Sequence, residues 1–139
     1  MTPLVVIPMA GEGRRFAERG YTFPKFLSTI RGRPMIQWVL ESLNLPEAQH
    51  VFVCQKAHVE RYHVEEMLQH LVRAVRVLTL DGPTQGVACT VHHALKHIAE
   101  VDGTETLATR DLLIVNSDQW LRWDSKDFFT RVQATHADG

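Results

Sequence analysis

The segment Leu4–Met9 (LVVIPM) is apolar at successive positions and runs straight into a glycine-marked stretch, AGEG. A strand with one wet face would alternate apolar and polar residues. A continuous run instead suits a strand covered on both faces, as in a parallel sheet. Parallel strands need long crossover connections, most often helices. The opening residues therefore predict an α/β chain, with this first strand central and a loop over its carboxyl end.

The rest of the sequence keeps that alternation. After loop punctuation at Gly11, Gly13, Gly20 and Pro24, the stretch GRPMIQWVLESLN sets Met35, Ile36, Val39, Leu40 and Leu43 at helical spacing. Pro34 fits its first turn. Residues 50–55 (HVFVCQ) read as a second strand and residues 58–72 as a helix. Ala74–Leu80 (AVRVLTL) reads as a third strand, with Arg76 suggesting an edge position. Val87, Val91, Leu95 and Ile98 mark a helix reaching about Glu100, and VDGTETLATR reads as a polar loop. Residues 111–116 (DLLIVN) form a fourth strand, and Asp124 or Ser125 caps a last helix. The expected architecture is a three-layer, Rossmann-like α/β fold. It has a mostly parallel sheet with helices on both faces, and residues 1–139 form one domain.

Composition bounds the function. The chain has 139 residues, 45% apolar and 22% charged, and a net charge of −1. That excludes a disordered polyelectrolyte and argues against a nucleic-acid binder. Nothing approaches the roughly 18 apolar residues of a membrane span, and no basic segment precedes the first apolar run. A cytoplasmic protein is expected. Cys54 and Cys89 lack CxxC spacing and are expected to be buried as small hydrophobes. Trp38 reads as core, while His58, His63 and His70 read as helix-surface residues. His93 and His97, four apart, lack an evident third metal ligand and suit a solvated face. Trp120 and Trp123, bordering the Asp118 loop, suit either a pocket wall or packing of the last helix.

Three stretches fall beyond the carboxyl ends of strands, where open parallel sheets bind ligands: AGEGRRF, DGPTQGVACT and NSDQW. In the first, Gly11 and Gly13 let the backbone approach a ligand and offer N–H groups to phosphate. Arg14, Arg15, Arg19 and Lys25 add positive charge. Residues 10–33 carry a net of +4 and the remainder a net of −5. The pattern is an anion site on an otherwise acidic chain. It is neither a P-loop, because GxxxxGK is absent, nor the dinucleotide fingerprint, because Phe16 stands where the third glycine would be. Asp118 follows a buried strand directly, so its carboxylate suits Mg²⁺ completed by phosphates and water. A turn or cap aspartate is the plain alternative. Thr84, Gln85 and Gly86 open a helix and suit either capping or reading a nucleobase edge.

Together the motifs resemble a known family. The string VIPMAGEGRRFAERGYTFPKFL is similar to the signature loop of the sugar-phosphate nucleotidylyltransferases, or NTP transferases: (P/L)-x-A-G-x-G-x-R-(F/L), then P-K some ten residues on. Ala10, Gly11, Gly13, Arg15 and Phe16 fill the loop; Pro24 and Lys25 fill the pair. GRPMIQWVLESL, TQGVACTVHHAL and NSDQ resemble three later motifs, in order. The wording is most similar to the capsule and surface-polysaccharide branch, some members of which are cytidylyltransferases. Molybdenum-cofactor guanylyltransferases have a similar loop, from which Phe16 and the spacing to Lys25 depart. Glu12 also departs from the family's usual small or polar residue.

The resemblance implies nucleotidyl transfer from an NTP, with CTP a candidate, to a sugar phosphate or other phosphorylated small molecule. Pyrophosphate is released, and surface-polysaccharide precursors are the products. It implies that Ala10, Gly11 and Gly13 hold the nucleotide, that Arg15 neutralises pyrophosphate and that Lys25 bridges the reacting phosphates. Asp118 holds Mg²⁺, and Gln85 and Gly86 contact the base. The expected partners are the nucleotide and the acceptor, not nucleic acid or a membrane; a homo-oligomer stays open. The likeness corresponds to the N-terminal, nucleotide-binding half of the family's fold, without its second metal carboxylate. The alternative is therefore a non-catalytic nucleotide-binding or dimerising fragment.

Overall fold

The computed structural model describes residues 2–11, 13–21 and 23–137. Glu12 lies outside the described residues, as do Asp138 and Gly139 of the terminal HADG.

In chain order the elements are β1 (Leu4–Met9), α1 (Arg14–Glu18), β2 (Thr29–Ile30), β3 (Arg33–Pro34), α2 (Met35–Leu43), β4 (Gln49–Gln55), α3 (Lys56–Tyr62), α4 (Val64–Leu71), β5 (Ala74–Leu80), α5 (Val87–Asp102), α6 (Thr104–Ala108), β6 (Leu112–Ile114) and α7 (Ser125–Thr135). A single 3₁₀ turn spans Lys25–Leu27.

The main sheet has the order β5-β4-β1-β6, and all three pairings are parallel. β1 is internal, as its apolar run predicts. Its side chains alternate between two cores. Val5, Ile7 and Met9 join Ile36, Val39 and Leu43 of α2 and Val64 and Leu68 of α4 on one face. Leu4, Val6 and Ala10 join Val91, Ala94 and Ile98 of α5 on the other. Both faces are covered, so neither parity can be polar. β5 is an edge strand, and its Arg76 makes two hydrogen bonds, 2.9 and 3.1 Å, to the Asp102 carboxylate.

Several local expectations change. The helix read over residues 58–72 is two helices, because His63 adopts a left-handed conformation (φ +50°) between them. VDGTETLATR is mostly helical: α5 runs on to Asp102 and α6 covers Thr104–Ala108. Periodicity missed it because α6 presents little but Leu107 to the core. Arg14–Glu18 forms a short helix inside the expected loop. Trp38 is half-buried rather than core. Its ring lies under the Arg33 guanidinium, 3.6 Å from the centroid, and its Nε1 donates to the Ile30 carbonyl. Cys54 is buried but Cys89 is exposed. The capping alternative resolves to Asp124, whose Oδ1 accepts from the Lys126 and Asp127 amides. No described helix is long and apolar enough to cross a membrane.

Candidate functional site

A cleft of about 420 Å³ opens at the carboxyl end of β1. One side is the glycine loop, represented by Gly11 and Gly13. A second is Tyr21, Phe23, Pro24 and Lys25. The start of α5 (Gly86, Val87, Thr90) and the stretch after β6 (Asn116, Ser117, Asp118) close it. The topology explains the convergence. Parallel strands deliver every β-to-α connection to the same edge, so segments distant in sequence share one mouth.

Gly13 has φ +59°, a region that costs any residue with a Cβ, and α1 begins at the next residue. Gly86, at φ +141°, is the residue before α5, a helix of 16 residues. The carbonyl of Gly86 accepts from the Thr84 and Thr90 hydroxyls at 3.0 and 3.2 Å, which fixes the turn. The amino end of α5 thus faces the cleft, where its unpaired N–H groups and partial positive charge favour an anion.

The shortest contact across the cleft joins Lys25 to Asp118, with Nζ 2.7 Å from Oδ2. Both side chains stay partly exposed, at 47% and 35%. Arg15 lines an adjoining shallow groove with Gly13, Arg14, Arg19 and Lys25. Lys25 is common to both depressions, so the basic groove and the cleft are continuous. Ala10 is fully buried, and its main chain leads into Gly11.

Gln85 and Gly86 part ways. Gly86 lines the cleft, whereas Gln85 lines a neighbouring groove with Leu80, Asp81, Cys89 and His93. Trp120 is 59% exposed and outside the cleft lining. Trp123 packs on the last helix, its ring 5.0 Å from that of Phe128, and its Nε1 donates to the Ser42 carbonyl. His93 and His97 are exposed on α5.

Sequence reasoning missed two participants. Gln55, the last residue of β4, donates from Nε2 to the Ala10 and Gly11 carbonyls at 3.1 and 3.2 Å. Nothing in a strand-ending glutamine announces this. The other is His58, expected on a helix surface and found half-buried in the cleft wall, 6.3 Å ring to ring from Phe26. Burial lowers its pKa, so it is neutral at pH 7. His63 and His70 are exposed, as expected.

Among the described residues no group of three or more His, Cys, Asp or Glu could by itself hold a metal. Asp118 nevertheless fits a divalent cation whose remaining ligands come from phosphates and water. It is an oxygen donor at the mouth of the cleft, and its Oδ2 already meets a cationic group, the Lys25 ammonium.

Solved structures share this fold. They include a nucleoside-diphosphate-sugar pyrophosphorylase from Vibrio cholerae RC9, with TM-score 0.74 and 22% identity over 98% of this chain and 54% of that one. A UDP-glucose pyrophosphorylase from Acinetobacter baumannii has TM-score 0.67 and 19% identity over 99% and 54%. A 4-diphosphocytidyl-2C-methyl-D-erythritol synthase has TM-score 0.60 and 19% identity over 99% and 56%. The chain spans about half the length of the solved structures it matches. No curated protein matches it. Residues 5–125 match the family described as the MobA-like NTP transferase domain, and the chain belongs to that family.

Proposed function

We propose that this chain binds a nucleoside triphosphate with Mg²⁺ and transfers its nucleotidyl group to a phosphorylated small molecule, releasing pyrophosphate. The observation that carries the reading is the convergence of Lys25 and Asp118, 2.7 Å apart, on a cleft edged by Gly11, Gly13 and Gly86. Cation, carboxylate and backbone N–H donors together suit a phosphate chain and its counter-ion.

An oxygen of the acceptor phosphate attacks the α-phosphorus, and the bond from that phosphorus to the bridging α–β oxygen breaks. The acceptor is already largely a dianion at neutral pH, since such a phosphate has a second pKa of about 6. The step needs alignment and neutralisation rather than a general base. Bound Mg²⁺ would supply charge neutralisation at the phosphates, held by Asp118. The main chain at Ala10, Gly11 and Gly13 holds the nucleotide. Lys25 bridges the α-phosphate and the incoming phosphate, and Arg15 in the adjoining basic groove meets the leaving pyrophosphate. Gly86, with Gln85 beside it, contacts the base.

The finer reading is a sugar-phosphate acceptor, CTP among the candidate donors, surface-polysaccharide precursors as products and a cytoplasmic setting, with residues 1–139 acting as one nucleotide-binding domain. The names of the solved relatives span uridine and cytidine chemistry, which keeps CTP in view. A second, non-catalytic reading, nucleotide holding alone, is favoured by Asp118 being the single carboxylate among the described residues lining the cleft. Pyrophosphate release from each NTP with a panel of sugar 1-phosphates separates the two. Turnover lost in Asp118→Asn supports transfer. Saturable nucleotide binding without turnover supports holding.

A further inference from the structure

β1 and β4 pair in register as far as Met9 and Cys54. Past that point the chain of β1 turns into the glycine loop, and its next carbonyls have no strand amide opposite. The Gln55 side chain takes over where the backbone ladder stops. Its Nε2 donates to two successive carbonyls, Ala10 at 3.1 Å and Gly11 at 3.2 Å, from 45 and 44 positions away. One amide group has two protons, so both bonds are made at once.

The consequence lies in the peptide planes. In a trans peptide the C=O and N–H point in opposite directions. Tying the Ala10 carbonyl toward β4 turns the Gly11 N–H of the same peptide unit the other way, and Gly11 lines the cleft. Nothing lies within 4 Å of where a Cβ on Gly11 would be, so the space beside it is open.

We infer that Gln55 is a positioning residue for the nucleotide loop: it aims the Gly11 N–H into the cleft by holding the Ala10 and Gly11 carbonyls from behind. This rests on the proposed nucleotide site and adds a residue to it that touches no ligand.

The informative variant is Gln55→Glu, which keeps the shape and replaces the donor by an acceptor facing two carbonyls. Calorimetric affinity for Mg·CTP and Mg·UTP is expected to fall about ten- to a hundredfold at pH 8, with the melting temperature within a few degrees of wild type. The deficit relative to wild type should shrink at pH 5, because a protonated carboxyl regains one donor. Gln55→Ala, which removes the donor without adding charge, should lose less. Unchanged affinity in Gln55→Glu, or a loss that ignores pH, overturns the proposal. If the wild-type chain binds no triphosphate, the proposed function fails instead, and the loop decides for Gln55. Displaced ¹H–¹⁵N resonances of Gly11 and Gly13 in Gln55→Glu then support it as the tether, and unmoved ones overturn it.

Discussion

Lys25 and Asp118, 93 positions apart in sequence, meet at 2.7 Å across the mouth of the cleft. Lys25 opens the 3₁₀ turn before the small β2–β3 hairpin, and Asp118 follows β6. The pair neutralises the cleft's central charges without ligand. Both partners remain partly exposed, so the contact is worth at most about 1 kcal/mol and opens readily. In the proposed site, a cation at Asp118 and a phosphate at Lys25, arriving together, would replace one weak bond by two stronger ones.

Lys25→Met should therefore act in opposite directions on two ligands. Free Mn²⁺, followed by paramagnetic broadening of the Asn116, Ser117 and Asp118 amides, should bind more tightly, because the competing ammonium is gone. Mg·NTP, followed by calorimetry, should bind about ten- to a hundredfold more weakly, for loss of one charge-assisted contact. Parallel losses for both ligands would show that Lys25 does not compete for Asp118.

Arg15→Ala should distinguish the ends of the nucleotide. Arg15 lines the basic groove with Arg14, Arg19 and Lys25, and it is not among the described residues lining the cleft that holds Gly86. In the proposed site it meets the distal phosphates. Triphosphate affinity should fall about tenfold or more, while nucleoside affinity stays the same. Equal losses would remove Arg15 from the pyrophosphate end.

His50 sets an acid limit on stability. It is buried on β4, its Nδ1 has no hydrogen-bond partner among the described residues, and burial, opposed by the nearby Ala48 backbone, lowers its pKa below the ordinary 6.5. The unfolded chain takes up a proton near pH 6.5 that the folded chain resists, so stability holds above that pH and falls below it. Between pH 6.5 and pH 5 the loss from this residue is at most about 2 kcal/mol. Denaturant midpoints across that range should fall in wild type and fall less steeply in His50→Leu, where His58, also lowered by burial, keeps part of the slope. A wild-type midpoint that does not change over the range would contradict this.

The parts of the fold written as apolar pattern were legible in the sequence. β1, apolar throughout, matches its expected bounds residue for residue, and so does β5, whose apolar run is broken by Arg76 and Thr79 as an edge strand allows. What stayed hidden depended on the third dimension. His63 breaks a helix whose apolar spacing continues across it. α6 looks like a loop because its exposed residues carry no stripe. Trp38 looks like core because a sequence does not show that Arg33 will cover its ring. The glycine loop and Asp118 could be picked out because carboxyl-edge positions follow from strand ends, and Lys25 because it lies in the basic stretch and fills the P-K pair of the family resemblance. The Gln55 tether could not, since it joins two connections whose adjacency exists only once β1 and β4 have paired.

The central claim is that the glycine loop, the start of α5 and Asp118 form one Mg·nucleotide site. Titrating the ¹⁵N-labelled chain with each Mg·NTP tests it most directly. Saturable shifts should appear together at Gly11, Gly13, Gly86 and Asp118, with affinity reduced about tenfold or more in Asp118→Asn or when Mg²⁺ is chelated. Saturation that leaves those residues unmoved, or binding indifferent to both Asp118 and Mg²⁺, would contradict it.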